Sequence, residues 1–185
     1  MPIDLLARSA TLDDLGPVER IYRHYIGASV STFDEVAPDH DEWVRRFGRM
    51  TDQGLPFLVA ESGGSLVGYA VTSPWRARPA YRHTVEESVY VDPTAVGQGV
   101  GRALLTELLR RCALAGVREV IAVIAAHGDS ADTASVALHR RCGFVEAGRL
   151  ARVGHKHGRW VDTILMQRSL VADSDHSISY ERTSG

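Results

Sequence analysis

The sequence predicts an α/β domain built on a mixed β-sheet. Two helix patterns come first, a pair of strand patterns follows, and strands then alternate with helices before two final strand patterns. Strands of a hairpin run antiparallel, whereas strands joined through a helix run parallel, so this order requires both kinds of pairing. The chain has 185 residues, of which 44% are apolar and 24% charged, as in one soluble globular domain. We expect one domain over residues 1–170 and a loose polar tail over 171–185.

Two helices are predicted in the first third of the chain. Thr11 and Asp14 have the spacing of an N-cap and its acidic partner, and the apolar residues after them recur at helical spacing. Pro38 and Asp39 open a second amphipathic helix. The predicted elements are an apolar-rich opening at 3–8, a helix over 11–26, a loop over 27–37 and a helix over 39–54.

Gly63 and Gly64 predict a tight β-hairpin. Strand patterns flank them at 57–61 and 65–72, and the favoured two-residue turns need positive φ values. Glycine adopts these values without steric cost, so we expect the two strands to run antiparallel.

The second half of the chain alternates strands and helices. A strand over 87–91 leads through a glycine-spaced loop into an amphipathic helix that begins at Val100 and is closed by Gly116. The longest apolar run, Val120–Ala126, is far shorter than the roughly 18 residues of a membrane helix, so it predicts a buried strand. The other predicted elements are a strand over 117–126, a helix over 134–141 and two strands around Gly158.

Composition argues against several classes of partner. The 21 basic and 23 acidic residues are mixed along the chain without a basic block, so we expect neither nucleic acid nor a membrane as a partner. The first residues lack the features of a secretory signal, which favours a cytoplasmic location with Cys112 and Cys142 as free thiols. Two histidines around Lys156 make a poor metal site, and no metal is expected.

The most informative stretch is Val96–Gly101, which joins a strand to an amphipathic helix. Three glycines in five residues allow a ligand to approach the backbone, and the free N–H groups of a helix N-terminus favour an anion. The Walker loop and the Rossmann loop both fit poorly. A phosphate-bearing cofactor is therefore predicted, with a glycine turn that serves only tight packing as the alternative.

This loop resembles the pyrophosphate loop of the GCN5-related N-acetyltransferase (GNAT) family. That loop has Arg or Gln, two residues, Gly, one residue, and Gly or Ala; Gly99 and Gly101 match it, whereas Val96 replaces the Arg or Gln. Other segments are similar to the phosphinothricin and methionine sulfoximine acetyltransferases of this family. They are Pro74–Arg78, Tyr81, Thr84–Glu86, Val89–Val91, Leu138–His139, Gly143–Phe144 and Lys156–Trp160.

The resemblance implies a fold, a cofactor and a site. The GNAT fold has a mixed, twisted sheet that splays around acetyl-CoA between flanking helices, and this subfamily implies a homodimer. The implied cofactor contacts are Val89, Tyr90, Val91, Gly97, Gln98, Gly99, Val100, Gly101, Arg102 and Asp132. The implied contacts to the acceptor are Phe33, Arg76, Arg78, Tyr81, Thr84 and Tyr90.

Glu86 is the candidate general base. An amine is mostly protonated near neutral pH, so a base must remove a proton before the amine attacks the thioester. A solvated carboxylate is the commoner fate of a glutamate, but Thr84–Glu86 matches the family's catalytic position. We expect Glu86 just before the central strand, with Glu87 on the opposite face of the sheet.

His139 is the candidate general acid. The resemblance implies that it protonates the departing thiolate, and a structural role within its short helix is the alternative.

The predicted function is transfer of acetyl from acetyl-CoA to the α-amine of a small amino-acid-like acceptor. Arg76 and Arg78 favour an anionic acceptor, because guanidinium groups match carboxylate and phosphinate oxygens. Two alternatives stay open, namely an acetyltransferase for a protein N-terminus or another amine, and a catalytically silent acetyl-CoA-binding module.

Overall fold

The computed structural model describes residues 5–126 and 134–171, which form one seven-stranded sheet with four α-helices. The strands are β1 (Leu5–Ser9), β2 (Phe57–Ser62), β3 (Ser65–Pro74), β4 (Thr84–Val91), β5 (Glu119–Ala126), β6 (Val145–Lys156) and β7 (Arg159–Ser169). The helices are α1 (Leu15–Ala28), α2 (His40–Asp52), α3 (Val100–Leu114) and α4 (Ala134–Arg141). No helix in the described part of the chain is long and apolar enough to cross a membrane.

The strand order is β1-β2-β3-β4-β5-β7-β6. Neighbouring strands run antiparallel except β4 and β5, which run parallel and are joined through α3. The sheet is therefore mixed, as predicted. The hairpin between β2 and β3 is confirmed, because Gly63 and Gly64 form its turn with φ values of 57° and 77°.

The sheet separates along the line between β4 and β5. The two strands are paired only at Thr84–Glu87 and Glu119–Ala122, although each continues for a further four residues, to Val91 and Ala126. Those four residues of β4 remain paired to β3, and those of β5 remain paired to β7. A gap thus opens in the middle of the sheet, as the GNAT resemblance implies.

The two faces of the sheet carry different cores. One face packs aliphatic side chains of the strands against α3, including the fully buried Leu104, Leu105 and Leu108. The other face packs aromatic rings beneath α1 and α2, with Trp43 edge-on to both Tyr22 and Tyr69.

Two elements differ from the sequence prediction. The opening residues form β1, an edge strand that was not predicted, since five residues are too few to show a clear alternation. Strand β4 begins at Thr84 rather than at residue 87, so Glu86 lies inside the central strand and not before it. Thr84 pairs with Glu119 of β5. Val85 pairs with Pro74 of β3 on one side and with Val120 of β5 on the other.

The beginning of the first helix is confirmed, with one refinement. The Asp14 carboxylate accepts from the Thr11 backbone N–H at 2.8 Å, as a capping residue does. A 3₁₀ turn over Leu12–Asp14 precedes α1. Arg8 of β1 also donates to Asp14, at 2.7 and 2.8 Å, and pairs with Glu61 of β2.

Candidate active site

The consecutive residues Glu86 and Glu87 of β4 point to opposite faces of the sheet, because side chains alternate along a strand. Glu86 is half-buried and faces a cavity on the same face as Tyr90. Glu87 is buried beneath the other face. Only Glu86 therefore reaches the side of the sheet on which an acceptor would bind, as the alternation predicts.

The cavity at Glu86 has a volume of about 280 Å³. Burial raises the pKa of Glu86, and the positive charge of Arg76 opposes that shift. A carboxyl with a raised pKa in a mainly apolar cavity is suited to take and release a proton near neutral pH. The lining residues are Phe33, Trp75, Arg76, Glu86, Val123, Leu150, Val153, Thr163 and Leu165.

Arg76 is a predicted acceptor contact that lines the same cavity as Glu86. Its guanidinium lies over the Trp75 ring at 3.9 Å from the centroid and donates to the Trp75 carbonyl at 3.0 Å. Arg76 is exposed and lines the cavity. Three other predicted acceptor contacts line neither this cavity nor the second cavity described below, so they stay predictions: Arg78, Tyr81 and Thr84.

Phe33 forms part of the cavity wall, although it lies in the irregular segment between α1 and α2. Its ring packs against Gly154 of β6, where a Cβ atom would collide with it. The preceding residue, Thr32, is buried, and its carbonyl accepts from the Lys156 ammonium at 2.8 Å. The Thr32 hydroxyl also bonds the Tyr22 hydroxyl at 2.7 Å. The segment is thus fastened to both β6 and α1.

Tyr90 lies beside a second cavity, of about 420 Å³, between α2 and strands β3 and β4. Its ring stacks on Tyr69 and meets Tyr22 edge-on. Burial raises the pKa of Tyr90, so its hydroxyl stays protonated. The cavity that Tyr90 lines is on the same face of the sheet as Glu86, and the predicted contact of Tyr90 with an acceptor stays a prediction.

His139 of α4 is buried, and both of its ring nitrogens are engaged. Nδ1 lies 2.7 Å from the Ser135 carbonyl oxygen, and Nε2 lies 2.6 Å from Oε1 of Glu87. Burial alone would lower the pKa of His139, but the hydrogen bond and the charge of Glu87 raise it. His139 therefore lies on the face of the sheet opposite Glu86. It is hydrogen-bonded to Glu87, the residue that follows Glu86 in β4.

The glycine loop has a backbone that fits an anion. Gly97 and Gly99 have φ values of 80° and 85°, which glycine adopts readily and which Val96 avoids. The N–H groups in the first turn of α3 have no intrahelical acceptor. A Cβ at Gly101 would lie 3.1 Å from the Leu138 side chain of α4, so this glycine also allows close packing, and its contact with the cofactor stays a prediction. Of the other predicted contacts, Gln98 donates its side-chain amide to the Thr94 carbonyl.

The loop adjoins the gap between β4 and β5, where Val89, Tyr90 and Val91 lie. An elongated molecule with phosphates at one end fits this arrangement, with the phosphates at the α3 N-terminus and the acyl end in the gap. Val100 is buried and Arg102 is exposed within the first turn of α3. The predicted contact Asp132 lies outside the described residues, as does the tail over 172–185.

Sequence reasoning missed several residues of the site. Lys156 was considered only as part of a metal pattern, and Glu87 only as the residue that faces away from the acceptor. Val123 and Thr163 follow the alternation of β5 and β7 and could have been found once those strands were paired. Contacts between distant segments, such as Lys156 with Thr32, leave no local signal in the sequence.

Comparison with known proteins agrees with this geometry. The model of the acetyltransferase (GNAT) family matches residues 18–144. The chain is 51% identical over 160 residues to a phosphinothricin N-acetyltransferase of Alcaligenes faecalis, covering 86% of this chain and 80% of that protein. It is 37% identical to an L-methionine sulfoximine/L-methionine sulfone acetyltransferase of Pseudomonas paraeruginosa, covering 88% and 93%.

A solved structure is also similar throughout. The GNAT superfamily phosphinothricin acetyltransferase of Sinorhizobium meliloti, in complex with acetyl-CoA, has a TM-score of 0.84 and 42% identity, covering 91% of this chain and 89% of that one. The mixed sheet that opens beside a glycine loop, together with these similarities, gives the chain the fold of a GNAT acetyltransferase. This chain belongs to the acetyltransferase (GNAT) family.

Proposed function

We propose that this protein transfers the acetyl group of acetyl-CoA to the α-amine of a small, anionic amino-acid-like acceptor such as phosphinothricin, methionine sulfoximine or a related metabolite. The observation that carries the proposal is the half-buried Glu86, whose raised pKa suits a base and which shares one cavity with Arg76. The relatives named for these two substrates support the acceptor class.

Each residue has a defined part in the proposed reaction. Acetyl-CoA supplies an activated acetyl group when it is bound. Arg76, with Arg78, binds the acidic group of the acceptor, and Phe33 covers its side chain. Glu86 takes a proton from the ammonium group, so that the amine lone pair can attack. Backbone N–H groups of β4 at the gap stabilise the oxyanion, and His139 holds a proton for the departing sulfur.

The test is thiol release from acetyl-CoA with a panel of amines. The panel contains phosphinothricin, methionine sulfoximine, ordinary L-amino acids and a peptide with a free N-terminus, with a sample that lacks an acceptor as the control. Release that requires an anionic amino acid supports the proposal. Release with the peptide alone would instead support the protein N-terminus alternative.

The silent binding module is separated by a second measurement. Calorimetry that shows acetyl-CoA binding, together with no thiol release for any member of the panel, would establish the module and overturn the enzymatic proposal. The presence of Glu86 and Arg76 in one cavity favours turnover.

The proposal includes a homodimer in the cytoplasm. Support for the dimer is apolar surface on and near the β6–β7 hairpin, where Trp160, Val153 and Phe33 are 60%, 56% and 41% exposed. The free thiols of Cys112 and Cys142 suit a reducing compartment. Sedimentation equilibrium tests the dimer, and a mass of one chain at micromolar concentration would contradict it.

A further inference from the structure

The hydrogen-bond register of β3 and β4 determines which backbone groups of β4 face the gap. Val91 lies opposite Gly68 of β3. The residues beside this pair carry the hydrogen bond, since the Asp92 N–H donates to the Val67 carbonyl at 2.8 Å. In an antiparallel ladder this pattern marks a pair that exchanges no hydrogen bond of its own. The N–H and C=O groups of Val91 therefore point away from β3.

The same alternation applies two residues earlier, at Val89, whose backbone groups also point away from β3. On that side β4 is paired to β5 only as far as Glu87. The N–H and C=O groups of Val89 and Val91 thus face the gap, and none of them has a strand partner among the described residues.

A helix supplies a partner for one of these groups. Tyr25 lies near the end of α1, and its hydroxyl donates to the Val91 carbonyl at 2.6 Å. Burial raises the pKa of Tyr25, although the hydrogen bond to Val91 opposes that shift, so the hydroxyl keeps its proton. The carbonyl can only accept. Tyr25 is therefore a fixed donor to the open half of β4.

Helix α1 also holds the preceding residue of the open strand. The Tyr90 ring meets the Tyr22 ring edge-on at 5.1 Å between centroids, and the half-buried Tyr25 ring lies against it at 5.4 Å. The side chain of Tyr90 and the carbonyl of Val91 are consequently both held by α1. This contact with α1 takes the place of the ladder that β5 does not provide.

The groups that remain at the gap are suited to a ligand with carbonyl oxygens. The N–H groups of Val89 and Val91 are donors, and the pantetheine arm and acetyl group of acetyl-CoA contain carbonyl oxygens that can accept from them. A strand that is already held in its bound conformation loses less conformational freedom when the ligand binds. The bond to Val91 should therefore contribute to the affinity for the cofactor.

We propose that Tyr25 is a positioning residue for acetyl-CoA, which acts through the Val91 carbonyl to hold the open half of β4 with the N–H groups of Val89 and Val91 directed into the gap. The inference deepens the proposed function, but it depends only on the binding of acetyl-CoA at the gap and not on the identity of the acceptor.

The test compares Tyr25→Phe with the wild type. Phenylalanine lacks the hydroxyl but keeps the ring that packs against Tyr90. Tyr22→Phe is the matched control, because it removes a hydroxyl from the same helix that bonds Thr32 and Asp34 instead of β4.

The first readout is calorimetry with acetyl-CoA in the absence of an acceptor. The Kd should rise about three- to tenfold in Tyr25→Phe, as expected for the loss of one hydrogen bond that orders the site. In Tyr22→Phe the Kd should stay within about twofold of the wild type. An unchanged Kd in Tyr25→Phe, or an equal rise in both variants, would overturn the proposal.

The second readout separates positioning of β4 from a general disturbance of the site. Its probe is 3′-phospho-ADP, which is CoA without the pantetheine arm. Its phosphates should bind at the N-terminus of α3, so its affinity should change less than about twofold in Tyr25→Phe. Equal weakening of acetyl-CoA and of this nucleotide would contradict a role of Tyr25 at the gap.

A measurement on the wild type decides should Tyr25→Phe fail to fold. In ¹H–¹⁵N spectra, acetyl-CoA should shift the amide signals of Val89 and Val91 more than those of Ser88 and Tyr90, whose N–H groups face β3. Shifts that are as large for Ser88 and Tyr90, or no shift at Val89 and Val91, would overturn the proposal.

The acceptor proposal and the role of Tyr25 can fail separately. A protein that binds acetyl-CoA but releases no thiol with any amine refutes the acceptor proposal, and the calorimetry of Tyr25→Phe still tests the positioning role. Normal affinity of Tyr25→Phe for acetyl-CoA refutes the positioning role and leaves the acceptor proposal intact.

Discussion

Glu86 and Glu87 are chemically identical neighbours that the strand places in two environments. Glu86 meets a cavity open to solvent, and Glu87 meets the core and a histidine. The difference comes from the alternation of side chains along β4 and from the helices that cover only one of the two positions. One peptide unit therefore separates the proposed base, Glu86, from the buried hydrogen-bond partner of His139.

Glu86→Gln tests the base at the residue scale. Glutamine keeps the shape but cannot accept a proton, so kcat should fall about 10²- to 10⁴-fold while the affinity for acetyl-CoA changes little. The rate of the variant should recover as pH rises towards the pKa of the amine, because more acceptor then arrives unprotonated. Steady-state kinetics against pH measure both effects.

A folded Glu86→Gln protein with a nearly normal kcat and an unchanged pH profile would place the base elsewhere. The raised pKa of Glu86 also predicts how kcat/KM of the wild type depends on pH. Because burial raises the pKa of Glu86, kcat/KM should decline on the acid side at a higher pH than the ordinary value of about 4.3 for a glutamate.

At the scale of elements, the α1–α2 segment depends on a lysine from the other end of the chain. Lys156 is 2% exposed and donates to the Thr32 carbonyl, while burial lowers its pKa. The segment has little regular structure of its own, so this bond and the packing of Phe33 on Gly154 hold the cavity wall in place.

Lys156→Met should therefore raise the KM for the acceptor about tenfold or more, with a small change in the KM for acetyl-CoA. The reason is that loss of a charge-assisted hydrogen bond releases the Phe33 wall. Arg159→Met, an exposed cation of the same hairpin, is the control for loss of charge. Equal increases in the two KM values would contradict a specific effect on the acceptor side of the cavity.

The loop before α3 offers a second element to test. Alanine at Gly99 must adopt the φ value of 85°, which an L side chain resists, so we expect Gly99→Ala to weaken acetyl-CoA binding about tenfold. Gly64→Ala is the control, since Gly64 has a similar φ of 77° in a hairpin away from the loop. Calorimetry that gives both variants the wild-type affinity would contradict an anion site at this loop.

The sequence predicts the elements of this protein better than their contacts. The hairpin at Gly63–Gly64 and the helix at Val100 have local signals, namely paired glycines and apolar spacing. The strand β1 has too few residues for such a signal. Phe33, Arg76 and Glu86 were found through resemblance, and the structure places them around one cavity. The bonds of Lys156 and Glu87 join residues far apart in the chain, and periodicity carries no information about them.

At the scale of the whole molecule, Arg8 connects the sheet edge to the first helix. It bonds Asp14 before α1 and pairs with Glu61 on β2, and its bond to Asp14 holds the pKa of that carboxyl below its usual range. A carboxyl whose pKa is lower in the folded state stabilises the fold above its unfolded pKa, about 3.9, and loses that effect as pH falls through the folded value.

Asp14→Asn should thus reduce the free energy of unfolding by about 1 to 3 kcal/mol at pH 7, measured by urea denaturation. The difference from the wild type should shrink below about pH 4, where the wild-type carboxyl becomes protonated as well. Asp13→Asn, at the exposed neighbouring position, serves as the control. A difference that is constant between pH 7 and pH 3 would assign the effect to packing.

The parallel pairing of β4 with β5 has a consequence for the order in which the chain is made. Strands β1 to β4 can assemble as soon as residue 91 has left the ribosome, and β4 is then an unpaired edge. That edge stays open until β5 is synthesised about thirty residues later, and an open edge invites pairing with another chain. Only four residues of β4 then pair with β5, and the gap lies beyond them. The gap therefore exists only after the two halves of the sheet have joined. Nascent chains that stop before β5 should therefore be the most prone to aggregate.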